Sequence, residues 1–168
     1  TSVVENIQNF GGHAICYETA LGAKAAHLDL YVHANMNHSN FFRHTERFAK
    51  LESPESTVRR VPVNRLDDTL TDVADRLGSH AVKVDTEGSE LDVIRGGPAT
   101  LRDAAYVLTE TSIKRRFESS YRPSTLIATM AELGFELLDV VNVSPATPWY
   151  MDMLFVPWHS ELFDRPAP

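Results

Sequence analysis

The second half of the chain alternates short apolar runs with segments whose apolar residues recur at helical spacing. Four runs predict strands: Ala81–Val84, Ala104–Thr111, Phe135–Val141 and Tyr150–Pro157. Three further segments predict helices: Leu66–Gly78, Ser89–Arg95 and Ser124–Gly134. Strands that alternate with helices in this way are typical of an α/β sheet with mainly parallel strands. Only a short turn-rich loop separates the last two strands, so we expect them to pair antiparallel.

The first half of the chain has a less regular pattern. His13–Gly22 and His27–His33 predict strands, and the alternation in the second of them is typical of a half-exposed strand. Val58–Asn64 predicts another strand, in which Pro62 favours a position at a sheet edge because proline cannot donate a ladder hydrogen bond. Residues 34–57 lack a clear period, which indicates a long loop with one short helix. Long loops in compact domains are often functional.

Chain length and composition narrow the function classes. The 168 residues, of which 43% are hydrophobic and 23% are charged, predict a single globular domain over residues 1–168. The net charge of −7 argues against a nucleic-acid partner, which requires clustered Lys and Arg. No apolar run approaches the roughly 20 residues of a membrane span, so we expect no membrane partner. The only cysteine, Cys16, excludes an intrachain disulfide and favours the cytoplasm.

The segment that carries the chemistry follows the predicted strand Ala81–Val84. Asp85 and Glu87 lie at the carboxyl end of this strand, which is the edge of a parallel sheet where ligands bind. The apolar run predicts a buried strand, so Lys83 within it must be paired, and Glu110 at the end of the next predicted strand is the expected partner. The sequence therefore predicts a cluster of acids and a lysine at the mouth of the sheet.

Several motifs in this order resemble the FkbM-type methyltransferases. They are VPVNRLDD at 61–68, VKVDTEGSELDVIRGG at 82–97, VLTET at 107–111, LGFELLDVV at 133–141 and YMDMLFVP at 150–157. The segments at 20–32 and 35–42 resemble the part upstream of these motifs, so the resemblance covers roughly residues 14–157. It implies a class I, Rossmann-like methyltransferase fold, which is a mostly parallel sheet with a reversed last strand. It also implies transfer of a methyl group from S-adenosylmethionine to a hydroxyl oxygen of a small sugar or polyketide-like molecule.

Four residues are candidates for the catalytic step. Methyl transfer requires the acceptor and the methyl group to be held in contact and aligned, and a hydroxyl acceptor gains from a base. Asp85 is the first choice, either as that base or as the carboxylate that orients the acceptor. Glu87 and Glu110 come next. His38, in the long loop, is the one histidine that we would test as a base.

The resemblance also implies residues that bind the cofactor. Ala20, Leu21 and Gly22 lie where the family lines its adenine pocket, and Asp85 lies beside the methyl group. Ser39 matches the small polar stretch of the family's long loop and is expected to contact substrate or cofactor. The histidines at 33, 38 and 44 are spaced by five and six residues, which places no pair on one face of a helix or strand, so we expect no metal site.

The family's glycine-rich cofactor loop should precede residue 14, and the chain contains no GxG sequence. We therefore expect an N-terminally incomplete domain, the C-terminal portion of a methyltransferase, with a missing N-terminal segment or a homo-oligomeric partner to complete it. Two other functions stay open. Asp85 and Glu87 resemble the acid pair that holds Mg or Mn in nucleotide-sugar glycosyltransferases. Alternatively, exposed strand edges favour a non-catalytic interaction module or a truncated remnant.

Overall fold

The computed structural model describes residues 14–33, 39–49, 56–143 and 149–164. Within these ranges the chain forms seven strands: β1 (Ala20–Leu21), β2 (Ala26–His33), β3 (Ser56–Asn64), β4 (His80–Val84), β5 (Ala104–Ser112), β6 (Phe135–Val143) and β7 (Tyr150–Pro157). The same ranges contain six helices: α1 (Glu46–Ala49), α2 (Leu66–Thr69), α3 (Ala74–Leu77), α4 (Glu90–Arg95), α5 (Pro98–Arg102) and α6 (Pro123–Glu132). A short 3₁₀ turn follows at Glu161–Phe163. No helix within these ranges is long and apolar enough to cross a lipid bilayer.

The larger sheet contains four strands in the order β4-β5-β7-β6. β4 and β5 are parallel, whereas β7 is antiparallel to both of its neighbours. Three strands therefore share one direction, and the reversed last strand is inserted between β5 and β6. The α/β class and the antiparallel pairing of the last two strands are confirmed.

The remaining strands form a second, three-stranded sheet in the order β1-β3-β2. The expectation of a mostly parallel sheet with a reversed last strand is therefore met only in part, because the described residues form two sheets of mixed direction rather than one. Pro62 does not lie in an edge strand, because β3 is the central strand of this sheet. β1 pairs with β3 only at Val63 and Asn64, so Pro62 lies just outside the parallel pairing. Of the strand predicted from residue 13 to residue 22, only Ala20–Leu21 forms within the described residues.

The main core lies between the larger sheet and the helices α4, α5 and α6. The spacing of Leu126 and Met130 places both on the face of α6 that packs against the sheet, and both are fully buried. The other members of this core come from both helices and strands: Leu91, Ile94, Leu101, Ala104, Val107, Phe135, Met153 and Phe155. A smaller cluster of Leu66, Val84 and Val93 joins α2, β4 and α4, and thereby fixes the end of β4 from which the acids follow.

Two sequence predictions fail for local physical reasons. The helix expected from Leu66 to Gly78 is divided into α2 and α3, because the hydroxyls of Thr69 and Thr71 donate to preceding backbone carbonyls and compete with the helix. β4 is not a buried strand either. Ala81 and Lys83 are exposed on one of its faces, and among its residues only Val84 is fully buried.

A close contact between two glycines lies near the site. A Cβ added to Gly96, at the end of α4, would lie 2.1 Å from the carbonyl oxygen of Gly22, next to β1. The missing side chain therefore lets the end of α4 approach the backbone that follows β1.

We predict that Gly96→Ala lowers the free energy of unfolding by about 2–3 kcal/mol, because the backbone of Gly22 must move away. The measurement is urea unfolding at equilibrium. Gly134→Ala is the matched control, since Gly134 has a φ of 85° but no atom within 4 Å of an added Cβ. Its conformational penalty is about 1 kcal/mol. A smaller loss for Gly96→Ala than for Gly134→Ala would contradict the close packing.

Candidate active site

The turn after β4 has an uncommon backbone conformation. Glu87 adopts a φ of 52° and Gly88 a φ of 105°, both in the left-handed region. For a glutamate this conformation costs about 1–2 kcal/mol, so the surrounding structure must hold it in place. A Cβ on Gly88 would lie 2.8 Å from the ring of Phe117 and 3.3 Å from that of Phe42. The turn is therefore pressed against two aromatic rings that leave no room for another side chain.

Glu90, at the start of α4, stabilises the backbone turn that follows β4. Its side chain is only 2% exposed. One carboxylate oxygen accepts hydrogen bonds from the backbone N–H groups of Thr86 and Gly88, at 3.0 and 2.9 Å, and from the Thr86 hydroxyl at 3.2 Å. The other oxygen accepts from the Tyr121 hydroxyl at 2.7 Å. Burial, together with the charge of Glu90, raises the pKa of Tyr121, which therefore stays a protonated donor. Sequence reasoning did not single out Glu90, since a glutamate at a helix start usually indicates only a favourable dipole contact.

Arg116 is the cation of the site, and sequence reasoning also missed it. Its guanidinium group contacts the carboxylate of Glu87 and lies 3.6 Å from that of Glu110. The side chain is 8% exposed and stacks against aromatic rings, with Phe117 at 5.0 Å and Tyr150 at 6.0 Å from ring centroid to guanidinium carbon. In the sequence, the only indication of this role is the run of three cationic residues at 114–116, shortly after the end of a predicted strand. Such a run is equally typical of a surface loop.

Asp85, Glu87 and Glu110 form one acidic cluster, with carboxylate oxygens that all lie within 4.8 Å of one another. The expectation that these three acids meet at the carboxyl ends of β4 and β5 agrees with this geometry. The partner expected for Lys83 was wrong. Because its face of β4 is open, the Lys83 side chain is 58% exposed, and its ammonium lies 2.8 Å from Asp85 rather than beside Glu110.

The cluster shifts the acidity of Glu110. Burial, together with the negative charges of Asp85 and Glu87, raises the pKa of the Glu110 carboxyl from its ordinary 4.5 to about 7. Arg116 acts in the opposite direction but does not cancel these effects. The Glu110 carboxyl therefore changes protonation state near neutral pH, which is the property that a general base requires.

Three carboxylates at this spacing are also the ligand type that Mg²⁺ or Mn²⁺ prefers. Asp85, Glu87 and Glu110 are the residues that could hold such an ion among those that the structure describes. Arg116 already supplies positive charge to Glu87 and Glu110, so the cluster does not depend on a metal for charge balance. His33 and His44 stack on each other at 5.1 Å, and neither belongs to this cluster.

A cavity of about 470 Å³ adjoins the acid-bearing turn. Its walls come from the residues after β1, from β2 and β3, and from the start of α4, and they include Leu21, Gly22, Ala23, Lys24, Leu28, Tyr31, Phe41, Phe42, Val63, Ser89 and Asp92. Phe42 belongs to this wall and also packs on Gly88. The cavity and the acids therefore share the segment that runs from the end of β4 into α4.

The residues expected to bind the cofactor do not all lie in the same place in the structure. Leu21 and Gly22 line the cavity, whereas Ala20 lies in β1 and Asp85 lies in the acidic cluster, and neither contributes to the cavity wall. The hydroxyl of Ser39 is buried and has no hydrogen-bond partner in the described part of the chain. His38 lies outside the described residues.

Comparison with known proteins gives one match. The model of the methyltransferase FkbM domain matches residues 4–137, which is most of the chain. The matched region includes the cavity, the turn after β4, Glu90, Glu110 and Arg116. No curated protein and no solved structure matches the chain.

We predict that Glu90→Ala lowers the free energy of unfolding by about 3–4 kcal/mol, because two buried N–H groups and the Tyr121 hydroxyl lose their acceptor. Glu90→Gln keeps an oxygen toward the turn and is expected to lose about 1–2 kcal/mol. Urea unfolding measures both values, with exposed Glu132→Ala as control. Equal losses for the two Glu90 variants would show that the hydrogen bonds to the turn are unimportant.

Proposed function

Because the chain belongs to the FkbM methyltransferase family, we propose that it transfers the methyl group of S-adenosylmethionine to a hydroxyl oxygen of a small molecule. The observation that carries this proposal is the position of Glu110. It has a pKa of about 7, lies at the carboxyl end of a sheet strand and belongs to an acidic cluster beside a cavity whose wall is both apolar and charged. The same arrangement supports a class I methyltransferase core.

The residues around the 470 Å³ cavity fit the cofactor. Its size falls within the range of about 300–1,000 Å³ that is usual for small-molecule sites. Leu21, Phe41 and Phe42 offer apolar and aromatic surface to an adenine ring, and Asp92 offers a carboxylate to ribose hydroxyls. When bound, S-adenosylmethionine would supply a methyl group on a positively charged sulfur, and this sulfur would leave as a neutral thioether when the methyl group passes to oxygen.

The chain's own task is to hold the acceptor and to take up its proton. As the new C–O bond forms, the hydroxyl oxygen loses its proton, and Glu110 is the carboxylate with the pKa suited to accept it at neutral pH. We assign the base to Glu110 rather than to Asp85, which the sequence alone favoured, because the Asp85 carboxylate is 40% exposed and is paired with Lys83.

Asp85 and Arg116 have positioning roles, Asp85 toward the acceptor and Arg116 toward Glu110. Asp85 is 40% exposed and is tied to Lys83, so its free oxygen can accept a hydrogen bond from a second hydroxyl of the acceptor. Arg116 keeps Glu87 and Glu110 close together although both carry negative charge when ionised. Proximity and orientation account for much of the acceleration expected in a displacement with an activated donor.

The acid trio also favours a second candidate, a metal-dependent transfer from a nucleotide sugar. Its support is limited to the carboxylate spacing, since the family is one of methyltransferases. The two functions differ in the ligand that stabilises the protein. Stabilisation by S-adenosylhomocysteine supports methyl transfer, whereas stabilisation that requires a nucleotide sugar together with Mn²⁺ supports the second candidate.

We predict that S-adenosylhomocysteine, at about one hundred times its dissociation constant, raises the free energy of unfolding by about 2.7 kcal/mol. Ala23→Trp places a large ring in the cavity wall and should abolish this increase. Ala128→Trp, on the exposed side of α6, is the matched control and should retain it. Thermal unfolding with and without the ligand measures the effect. Equal responses of the two variants would place the cofactor elsewhere.

A further inference from the structure

A second cavity, of about 250 Å³, lies just beyond the acidic cluster. Ser112, the last residue of β5, lines it, and the rest of its wall comes from the loop that leads into α6. Ser112 lies two residues after Glu110, and residues two apart in a strand face the same side of the sheet. The cavity is therefore adjacent to the proposed base, along the direction of β5.

Three cationic side chains line this cavity, which is unusual in a chain of net charge −7. They are Lys114, Arg115 and Arg122. Residues 114–122 contain four cations and a single acid, Glu118. The fourth cation, Arg116, points into the acidic cluster, where Glu87 and Glu110 neutralise it.

The three cavity cations have no such counter-charge. Among the residues that the structure describes, none of them lies within ion-pair distance of a carboxylate. The Arg115 guanidinium donates to the backbone carbonyl of Glu118 at 3.3 Å, and the Lys114 ammonium lies 4.9 Å from the ring centre of Trp149. Both contacts orient the side chains and leave their positive charge uncompensated.

The chemistry of the wall fits an oxyanion. Guanidinium groups donate paired hydrogen bonds to carboxylate, sulfate or phosphate oxygens. The cavity volume accommodates a group of that size, and the Ser112 side chain contributes a hydroxyl. Cations at this cavity and acids at Asp85 and Glu110 create two regions of opposite charge, so an acceptor with an anionic end can bind in one orientation only.

We propose that this cavity binds an anionic group of the methyl acceptor, so that the acceptor is a hydroxyl compound that also carries a phosphate, sulfate or carboxylate. The inference rests on the proposed function, because it assigns the acceptor of that reaction. Lys114 and Arg122 hold the anionic group, and the hydroxyl to be methylated then faces Glu110. Arg115 contributes further positive charge at the rim.

The test is calorimetric titration of the purified chain with sodium sulfate at constant ionic strength, with sodium chloride as the reference salt. The parent is expected to bind sulfate. Lys114→Gln/Arg122→Gln should weaken binding about tenfold or more, because two charged donors are lost. Arg59→Gln/Arg95→Gln removes the same charge from exposed positions outside the cavity and should bind like the parent. Absence of sulfate binding by the parent, or equal weakening in both variants, would overturn the proposal.

Titration with three different anions identifies which anionic group the cavity prefers. Inorganic phosphate, sulfate and acetate are titrated separately at equal ionic strength, and the tightest of them identifies the group that the acceptor carries. S-adenosylhomocysteine binding is measured on the same samples. Cofactor binding without sulfate binding overturns only the acceptor assignment, whereas sulfate binding without cofactor binding leaves this cavity in place and overturns the proposed methyl transfer.

Discussion

A buried arginine between two carboxylates is the interaction on which the site depends. Arg116 is 8% exposed, and a guanidinium at that depth requires partners, which Glu87 and Glu110 provide. Loss of one partner from a buried ion pair typically costs about 3–5 kcal/mol. The pairing ties the turn after β4 to the end of β5, and through Arg116 to the loop that precedes α6. Three separate segments therefore converge because one charge must be neutralised.

The strained turn follows from this constraint. To reach Arg116, Glu87 adopts a left-handed conformation, which is stable only because Glu90 accepts hydrogen bonds from the residues on either side of it. Burial, together with this crowding of acids, raises the pKa of Glu110 to about 7. The features that make the turn unfavourable on its own thus produce a carboxyl group suited to proton transfer at neutral pH, next to a cavity of the size that a small-molecule cofactor needs.

The sequence predicted where the strands lie and that the acids come together. It did not predict which charged side chains are buried and which are exposed. Parallel pairing of β4 and β5 brings Asp85 and Glu110 to one sheet edge, and apolar runs reveal such strands. The exposure of Lys83 depends on which face of β4 other elements cover, and a single strand's pattern does not contain that information. Arg116 lies in a loop without periodicity, where only the folded chain shows whether a cation is buried. The division of the helix after Leu66 depended on threonine hydroxyls that compete with the backbone.

The protonation of Glu110 tests the central claim most directly. NMR titration of the Glu110 carboxyl carbon in the parent chain should give a pKa of about 7. In Arg116→Met the pKa should be higher still, because the guanidinium charge that lowers it is gone while Asp85 and Glu87 remain. A parent value near 4.5, or a lower value in the variant than in the parent, would contradict the account of a base created by crowded carboxylates around a buried arginine.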